Sequence, residues 1–168
     1  MADTSLNENR IGLLIWQTSN LWQSKIRKKL SKLHISFNDY LILETVYNLS
    51  KIMNNINQVD VVKHSFIDKS VVSAKLNQLK VKKLITKMNA SDNRSNKLQL
   101  TKEGKNIIES IINDVINTED DFFGKLNQES FNFLLFNLVN LALTTDLSIK
   151  EFLTISICVM LFEVLDKL

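Results

Sequence analysis

The sequence has no proline, three glycines, two histidines and a single cysteine among its 168 residues. One cysteine, Cys158, cannot form an intramolecular disulfide, which fits a protein of the reducing cytoplasm. The histidines, His34 and His64, have no metal-ligand spacing, and the sequence contains no glycine-rich phosphate loop. We therefore expect a protein that is not an enzyme and that carries neither a metal nor a cofactor.

Long apolar runs are also missing. The longest, residues 152–162, is interrupted by Thr154 and Ser156 and falls well short of the ~20 residues that a membrane span needs. The first ten residues, MADTSLNENR, contain acids and no apolar core, so they do not resemble a secretory signal. Hydrophobic residues make up 45% of the chain, as in ordinary globular proteins. These features predict a soluble, cytoplasmic protein with no membrane partner.

Positive charge is concentrated in the middle of the chain. Residues 63–105 hold eleven basic and three acidic side chains, whereas the remainder holds ten basic and fifteen acidic ones. A basic segment between acidic ends is typical of a surface that binds a polyanion such as nucleic acid. The alternative interpretation is that these lysines only solvate helix faces.

Apolar periodicity predicts a mainly α-helical chain. A serine followed three residues later by an acid forms a capping box, and this motif predicts helix starts at Ser5, Ser36 and Ser148. The first helix is predicted to run to about Leu33, and a short third helix to lie around Val59.

The basic segment is predicted to form a fourth helix followed by a β-hairpin. Asp68 or Ser70 caps this helix, and its buried stripe has helical spacing. Residues 84–88 and 97–100 are the expected strands, joined by an asparagine-rich loop in which asparagine can take a positive φ. The members of the buried stripe are Val72, Leu76 and Leu79.

The chain after the hairpin is rich in apolar residues. Thr101 and Asn127 are expected to begin two long helices, followed by a terminal helix over 148–167. The last forty residues hold more apolar surface than one small domain can cover, so we expect an obligate homodimer. The terminal helix either adds dimer contacts or forms a docking surface for another protein.

Four short motifs carry a resemblance to a known family. They are Asp68-Lys69-Ser70-Val71-Val72-Ser73, then Leu79 with Leu84-Ile85-Thr86-Lys87, then Asp92-x-Arg94, and Leu98-x-Leu100-Thr101-x-x-Gly104. In this order and spacing, over residues 8–143, the chain resembles the MarR family of bacterial transcription regulators.

The resemblance implies a mainly α fold with a small β-hairpin wing. A winged helix-turn-helix lobe over 35–101 is inserted into a helical dimerisation region formed by 1–34 and 102–168. It also implies a sequence-specific DNA-binding regulator, a repressor, that binds a pseudo-palindromic operator on double-stranded DNA as a homodimer. The competing interpretation is a winged-helix interaction module that does not bind DNA.

The resemblance also implies roles for individual residues. Arg94 would enter the minor groove, with Asp92 steadying the wing, although the two could instead form only a local ion pair. Lys87 stands where the family usually has an arginine. The fourth helix would enter the major groove, with Ser70 and Ser73 bonding to phosphate or base edges, Val71 and Ala74 touching thymine methyl groups, and Asn77 reaching adenine or phosphate. Phosphate contacts are expected from Lys63, His64, Lys69, Lys75 and Lys97.

Some positions depart from the family pattern. Many members have arginine at the position of Ala74, and glycine at those of Phe66 and Lys83. Members often bind small aromatic ligands, and the residues that could line such a pocket here are Trp16, Asn20, Phe37 and Tyr40; the alternative is that these are ordinary core and interface residues. Asp120 and Asp121, beside Glu119, are interpreted as a solvated helix face, and Cys158 as an inert core thiol.

Overall fold

The computed structural model describes residues 10–89 and 96–145, and it is helical apart from one β-hairpin. This confirms the predicted mainly α fold with a hairpin. A 3-10 turn, Ser31–Leu33, follows the first helix. The elements in chain order are α1 Ile11–Leu30, α2 Phe37–Ile52, α3 Gln58–Ser65, α4 Lys69–Val81, β1 Ile85–Asn89, β2 Asn96–Leu100, α5 Lys102–Phe123 and α6 Gln128–Thr145.

Side-chain caps determine where the middle helices begin. The capping box predicted at Ser36 is present: its hydroxyl accepts from Asp39 N at 3.2 Å, and Ser36 N donates to the Asp39 carboxylate at 2.9 Å. A second box, which the sequence analysis missed, joins Asn57 and Asp60 at the start of α3. At α4 the cap is Asp68, which accepts from the backbone N–H of Ser70 at 2.7 Å.

Several boundaries differ from the prediction. The first helix ends at Leu30, because the chain tightens into the 3-10 turn and His34 then takes a left-handed conformation with φ 54°. The helix α2 also continues to Ile52, into the polar run 51–57, whose composition is typical of a loop. The predicted capping boxes at Ser5 and Ser148 lie outside the described residues.

The core of the first compact unit, which extends to Phe122, is built from α1 to α5 and the hairpin. The predicted stripe of α4 is buried in it, with Val72 and Leu79 fully inaccessible to solvent. The other fully inaccessible apolar side chains are Ile26, Leu30, Ile42, Leu43, Val46, Val61 and Ile108.

The hairpin is tied to the helices at its base. Its strands are antiparallel, with Ile85 opposite Leu100, and Leu98 also forms a β-bridge with Ile56 from the α2–α3 loop. The backbone N–H of Leu98 donates to the Ile56 carbonyl at 2.7 Å. The wing is therefore fixed to the loop that precedes α3.

The start of α5 packs closely on the hairpin. Thr101 caps this helix by accepting from Gly104 N at 3.0 Å, and its hydroxyl donates to the Lys83 carbonyl at 2.7 Å. A Cβ at position 104 would overlap the Leu84 carbonyl oxygen. Only glycine allows this approach without a backbone shift.

The second compact unit begins at Phe123 and contains α6. Asn127 caps this helix, as predicted, by accepting from Ser130 N at 2.8 Å. Large apolar side chains are exposed on it, including Phe133 at 72% and Phe136 at 66%. Across the described ranges, no helix has both the length and the apolar character that crossing a membrane requires.

Candidate nucleic-acid interface

The outer side of α4 gathers most of the predicted DNA-binding residues. Ser70, Ser73, Ala74 and Asn77 follow helical spacing along one face, opposite the buried stripe. Ser70, Ala74 and Asn77 are exposed, and Ser73 is half-buried. Lys69 is exposed and Val71 half-buried at the start of the same helix. The face is small and polar, so another macromolecule can approach its backbone closely.

A buried carboxylate holds α4 in place from the other side. Asp39 is 2% exposed, and its two oxygens lie 3.2 Å from the ammonium groups of Lys75 and Lys82. Lys75 also donates to Ser36 Oγ and to Gln78 Oε1, each at 3.1 Å. These contacts hold the Lys75 side chain against α2 and α4, and the phosphate contact predicted for it stays a prediction.

The electrostatics of this cluster favour the ionised carboxylate. Burial alone would raise the pKa of Asp39, but the hydrogen bonds from Ser36, Lys75 and Lys82 outweigh it and hold the pKa below its ordinary value. Asp39 therefore joins the first turn of α2 to α4 as a charged group.

The wing contributes further basic side chains. Lys87 lies opposite Leu98 in the hairpin register, and Lys97 follows the start of β2; both are half-buried. Asp92 and Arg94 lie outside the described residues, so their roles stay predictions. His64 lies in the last turn of α3. Burial lowers the pKa of its imidazole, and the positive charge of Lys63 lowers it further.

The two departures from glycine fall at strained positions. Phe66 at the end of α3 has φ 54°, and Lys83 after α4 has φ 57°. Both are left-handed conformations, which cost a non-glycine residue about 1–2 kcal/mol. These are positions where glycine would be favoured, which gives a physical reason for the family pattern.

The residues of the predicted ligand pocket occupy different environments. Trp16 is 63% exposed and Asn20 half-buried on α1, whereas Phe37 and Tyr40 belong to the core. Phe37 packs edge-on against Trp22, with ring centroids 5.7 Å apart, and the Arg27 guanidinium lies 5.9 Å from its centroid. The sequence analysis did not name Trp22 and Arg27 as neighbours of Phe37, although both lie on the same helix as Trp16. The pocket remains a prediction.

Two acids lie close to the buried Tyr40. Burial raises the pKa of Glu44, and the hydrogen bond that Glu44 accepts from Tyr40 offsets part of this rise. Burial also raises the pKa of Glu119, and the negative charge of Glu44 raises it further. Burial and then Glu44 raise the pKa of the Tyr40 hydroxyl. Asp120 and Asp121 are exposed, as expected of a solvated helix face, whereas the neighbouring Glu119 is half-buried.

A cleft of about 520 Å³ opens beside the wing, away from the predicted pocket. It is bounded by the end of α2, the α2–α3 loop, strand β2 and Lys105 in the first turn of α5. Its lining residues are Tyr47, Ser50, Lys51, Met53, Asn54, Ile56, Lys97, Leu98, Gln99, Leu100 and Lys105.

Comparison with solved structures identifies the fold. MepR of Staphylococcus aureus, solved in complex with DNA, is 23% identical with a TM-score of 0.74, covering 81% of this chain and 98% of its own. The chain has the MarR-type winged-helix fold. A mutant MarR of E. coli bound to operator DNA is 19% identical with a TM-score of 0.71, covering 83% of this chain and 99% of its own.

A third MarR-type structure, BpsR of Bordetella bronchiseptica, is 19% identical with a TM-score of 0.71, covering 79% of this chain and 98% of its own. Its DNA binding is regulated by 6-hydroxynicotinic acid. No protein-family model matches the chain. In the MarR-type fold, α4 is the second helix of the helix-turn-helix and the hairpin is the wing.

Proposed function

We propose that this chain is a sequence-specific, DNA-binding transcription regulator of the MarR type that acts as a repressor. The observation that carries the proposal is the exposed polar face of α4, held by its buried opposite face and by Asp39. A small-faced helix of this kind fits the major groove. The DNA complexes of MepR and MarR support the same use of the fold.

Side chains on this face would read the operator. Asn77 and Ser73 hydrogen-bond base edges or phosphates, while Val71 and Ala74 contact thymine methyl groups. Lys69, Lys87 and Lys97 neutralise phosphates and supply salt-dependent affinity. Because Ala74 has no donor, guanine is not read at its position.

The wing would read the adjacent minor groove. Arg94 inserts its guanidinium there, and Asp92 supports the wing. The antiparallel pairing of β1 and β2, together with the Ile56–Leu98 bridge, supplies a fixed base for this contact.

A homodimer would place two such lobes on one operator. Exposed apolar side chains occur on α1, where Leu14 is 53% and Leu21 62% exposed, and on α6. A second copy of the chain would cover them, through the dimerisation region 1–34 and 102–168 and with extra contacts from 148–167. The two recognition helices would then lie roughly 34 Å apart, as a pseudo-palindromic operator requires.

A small aromatic ligand would regulate this dimer from a pocket containing Trp16, Asn20, Phe37 and Tyr40. The ligand regulation of BpsR supports the type of control. The neighbouring structures are regulators rather than enzymes, which supports a non-enzymatic role in the cytoplasm.

Selection of bound genomic fragments, followed by fluorescence anisotropy at two salt concentrations, tests the proposal. We expect one pseudo-palindromic sequence to be enriched and Asn77→Ala to weaken its binding by about 10-fold, equivalent to about 1.4 kcal/mol. Asn48→Ala, at an exposed asparagine of α2, is the matched control and should bind as the parent does. An interaction module would enrich no fragment and show no salt-dependent binding.

A further inference from the structure

The cleft beside the wing combines an apolar floor with a basic rim. Ile56 and Leu98, joined by the β-bridge, are 3% and 1% exposed and belong to its lining. Met53 and Leu100 are partly buried against the core and extend this apolar surface. Its volume, about 520 Å³, lies within the range of small-molecule sites in proteins, roughly 300–1,000 Å³.

The charge of the lining is of one sign. Lys51, Lys97 and Lys105 all border the cleft, and its lining, which lies wholly within the described residues, contains no carboxylate. Amide groups of Asn54 and Gln99 add neutral hydrogen-bonding positions. Three ammonium groups over an apolar floor match a molecule with an apolar body and an anionic group.

One carboxylate already lies at the edge of this cleft. The Tyr47 hydroxyl donates to Glu109 Oε1 at 3.2 Å, and the Lys105 ammonium lies 3.6 Å from the same oxygen. Both side chains of this ion pair are exposed, 60% for Lys105 and 43% for Glu109, so the pair contributes little and can be exchanged for another anion. The Lys51 ammonium lies 4.2 Å from the Tyr47 ring centroid, which brings a second cation to the same phenol.

We infer that this wing-root cleft, defined by the lining residues given above, binds a small organic carboxylate. Its apolar body lies against Ile56 and Leu98, and its carboxylate is held among the three lysines. The site is separate from the pocket predicted around Trp16 and does not depend on the DNA-binding proposal. It shares no residue with the outer face of α4.

Binding of 1-naphthoate to the full-length protein, measured by calorimetry without DNA, tests this inference. We expect Lys51→Gln and Lys105→Gln each to weaken binding at least threefold, and the neutral 1-naphthalenemethanol to bind at least tenfold more weakly than naphthoate. Lys80→Gln, at an exposed lysine of α4 that does not line the cleft, should leave the affinity unchanged.

Lysine acylation of the unmodified protein, read by mass spectrometry, locates the probe without any substitution. Saturating naphthoate should protect Lys51, Lys97 and Lys105 and leave Lys80 as reactive as before. The inference is overturned if naphthoate does not bind at millimolar concentration, if the neutral analogue binds equally well, or if Trp16→Ala abolishes binding while the cleft lysines stay reactive.

Discussion

The ammonium group of Lys75 lies 3.2 Å from the buried carboxylate of Asp39, although Lys75 belongs to the helix whose outer face we propose as the DNA-binding surface. A lysine in a recognition helix is normally expected to contact phosphate. Here it is 23% exposed and joins α4 to the first turn of α2. The basic residues of this segment therefore divide into those that hold the helix and those that face outward.

Substitution of these lysines should separate the two roles. We expect Lys69→Met to lower the slope of log affinity against log salt by about 1, because one phosphate contact is lost. Lys75→Met should weaken operator binding and lower the free energy of unfolding by about 1–2 kcal/mol without changing that slope. Anisotropy titrations at several salt concentrations, with urea unfolding, measure both. An unchanged stability with a reduced slope for Lys75→Met would assign it to phosphate instead.

Acid titration should reveal the cluster of Glu44 and Glu119. Both pKa values are raised, so protonation stabilises the folded state below about pH 4.5, and this stability is lost as pH rises through the folded pKa. We expect Glu119→Gln to raise the free energy of unfolding at pH 7 by about 1 kcal/mol and to have no effect near pH 4. Urea unfolding at both pH values checks this, with the exposed Asp121→Asn as control, because Asp121 is not among the groups that raise the pKa of Glu119. Equal effects of the two variants would contradict the prediction.

Alanine substitutions at two glycines should have opposite effects. Gly104→Ala places a Cβ against the Leu84 carbonyl oxygen, and we expect it to lower the free energy of unfolding by about 2–3 kcal/mol. Gly12 lies within α1 and a Cβ there meets nothing within 4 Å, so Gly12→Ala should raise stability by about 0.5–1 kcal/mol. Urea unfolding measures both. If Gly104→Ala is as stable as the parent, the close approach is not real.

Relief of left-handed backbone strain should stabilise the protein. Lys83 has φ 57°, so we expect Lys83→Gly to raise the free energy of unfolding by about 0.5–1 kcal/mol. The matched variant Lys80→Gly lies inside α4 and should lower the free energy of unfolding by about 1 kcal/mol, because a glycine in a helix loses more backbone freedom on folding than a lysine does. Thermal unfolding compares the two. A fall in the melting temperature for Lys83→Gly would show that its side chain matters more than its φ.

Local sequence signals predicted the fold well where one residue type fixes one conformation. Ser36 with Asp39, Asp68 and Asn127 all cap the helices they were expected to cap, and the buried stripe of α4 followed from spacing alone. The predicted outer face of α4 is likewise assembled as expected.

Contacts between residues that are far apart in the sequence could not be predicted from the sequence pattern. Lys75 reaches Asp39 across 36 positions, and Glu119 lies near Glu44 across 75, so neither pairing leaves a periodic signature. The cleft beside the wing has the same origin, because its lysines come from three separate elements. The tip residues Asp92 and Arg94 lie outside the described ranges, and their roles rest on the resemblance alone.

The absence of a side chain at Gly104 has a mechanical consequence. The Leu84 carbonyl lies directly against Gly104, and the Thr101 hydroxyl donates to the Lys83 carbonyl, so the first turn of α5 packs tightly on the start of the hairpin. A change in the direction of this 22-residue helix would therefore act directly on the residues that lead into β1. A reorientation of α5 would reach the base of the wing through these contacts, without refolding of the hairpin.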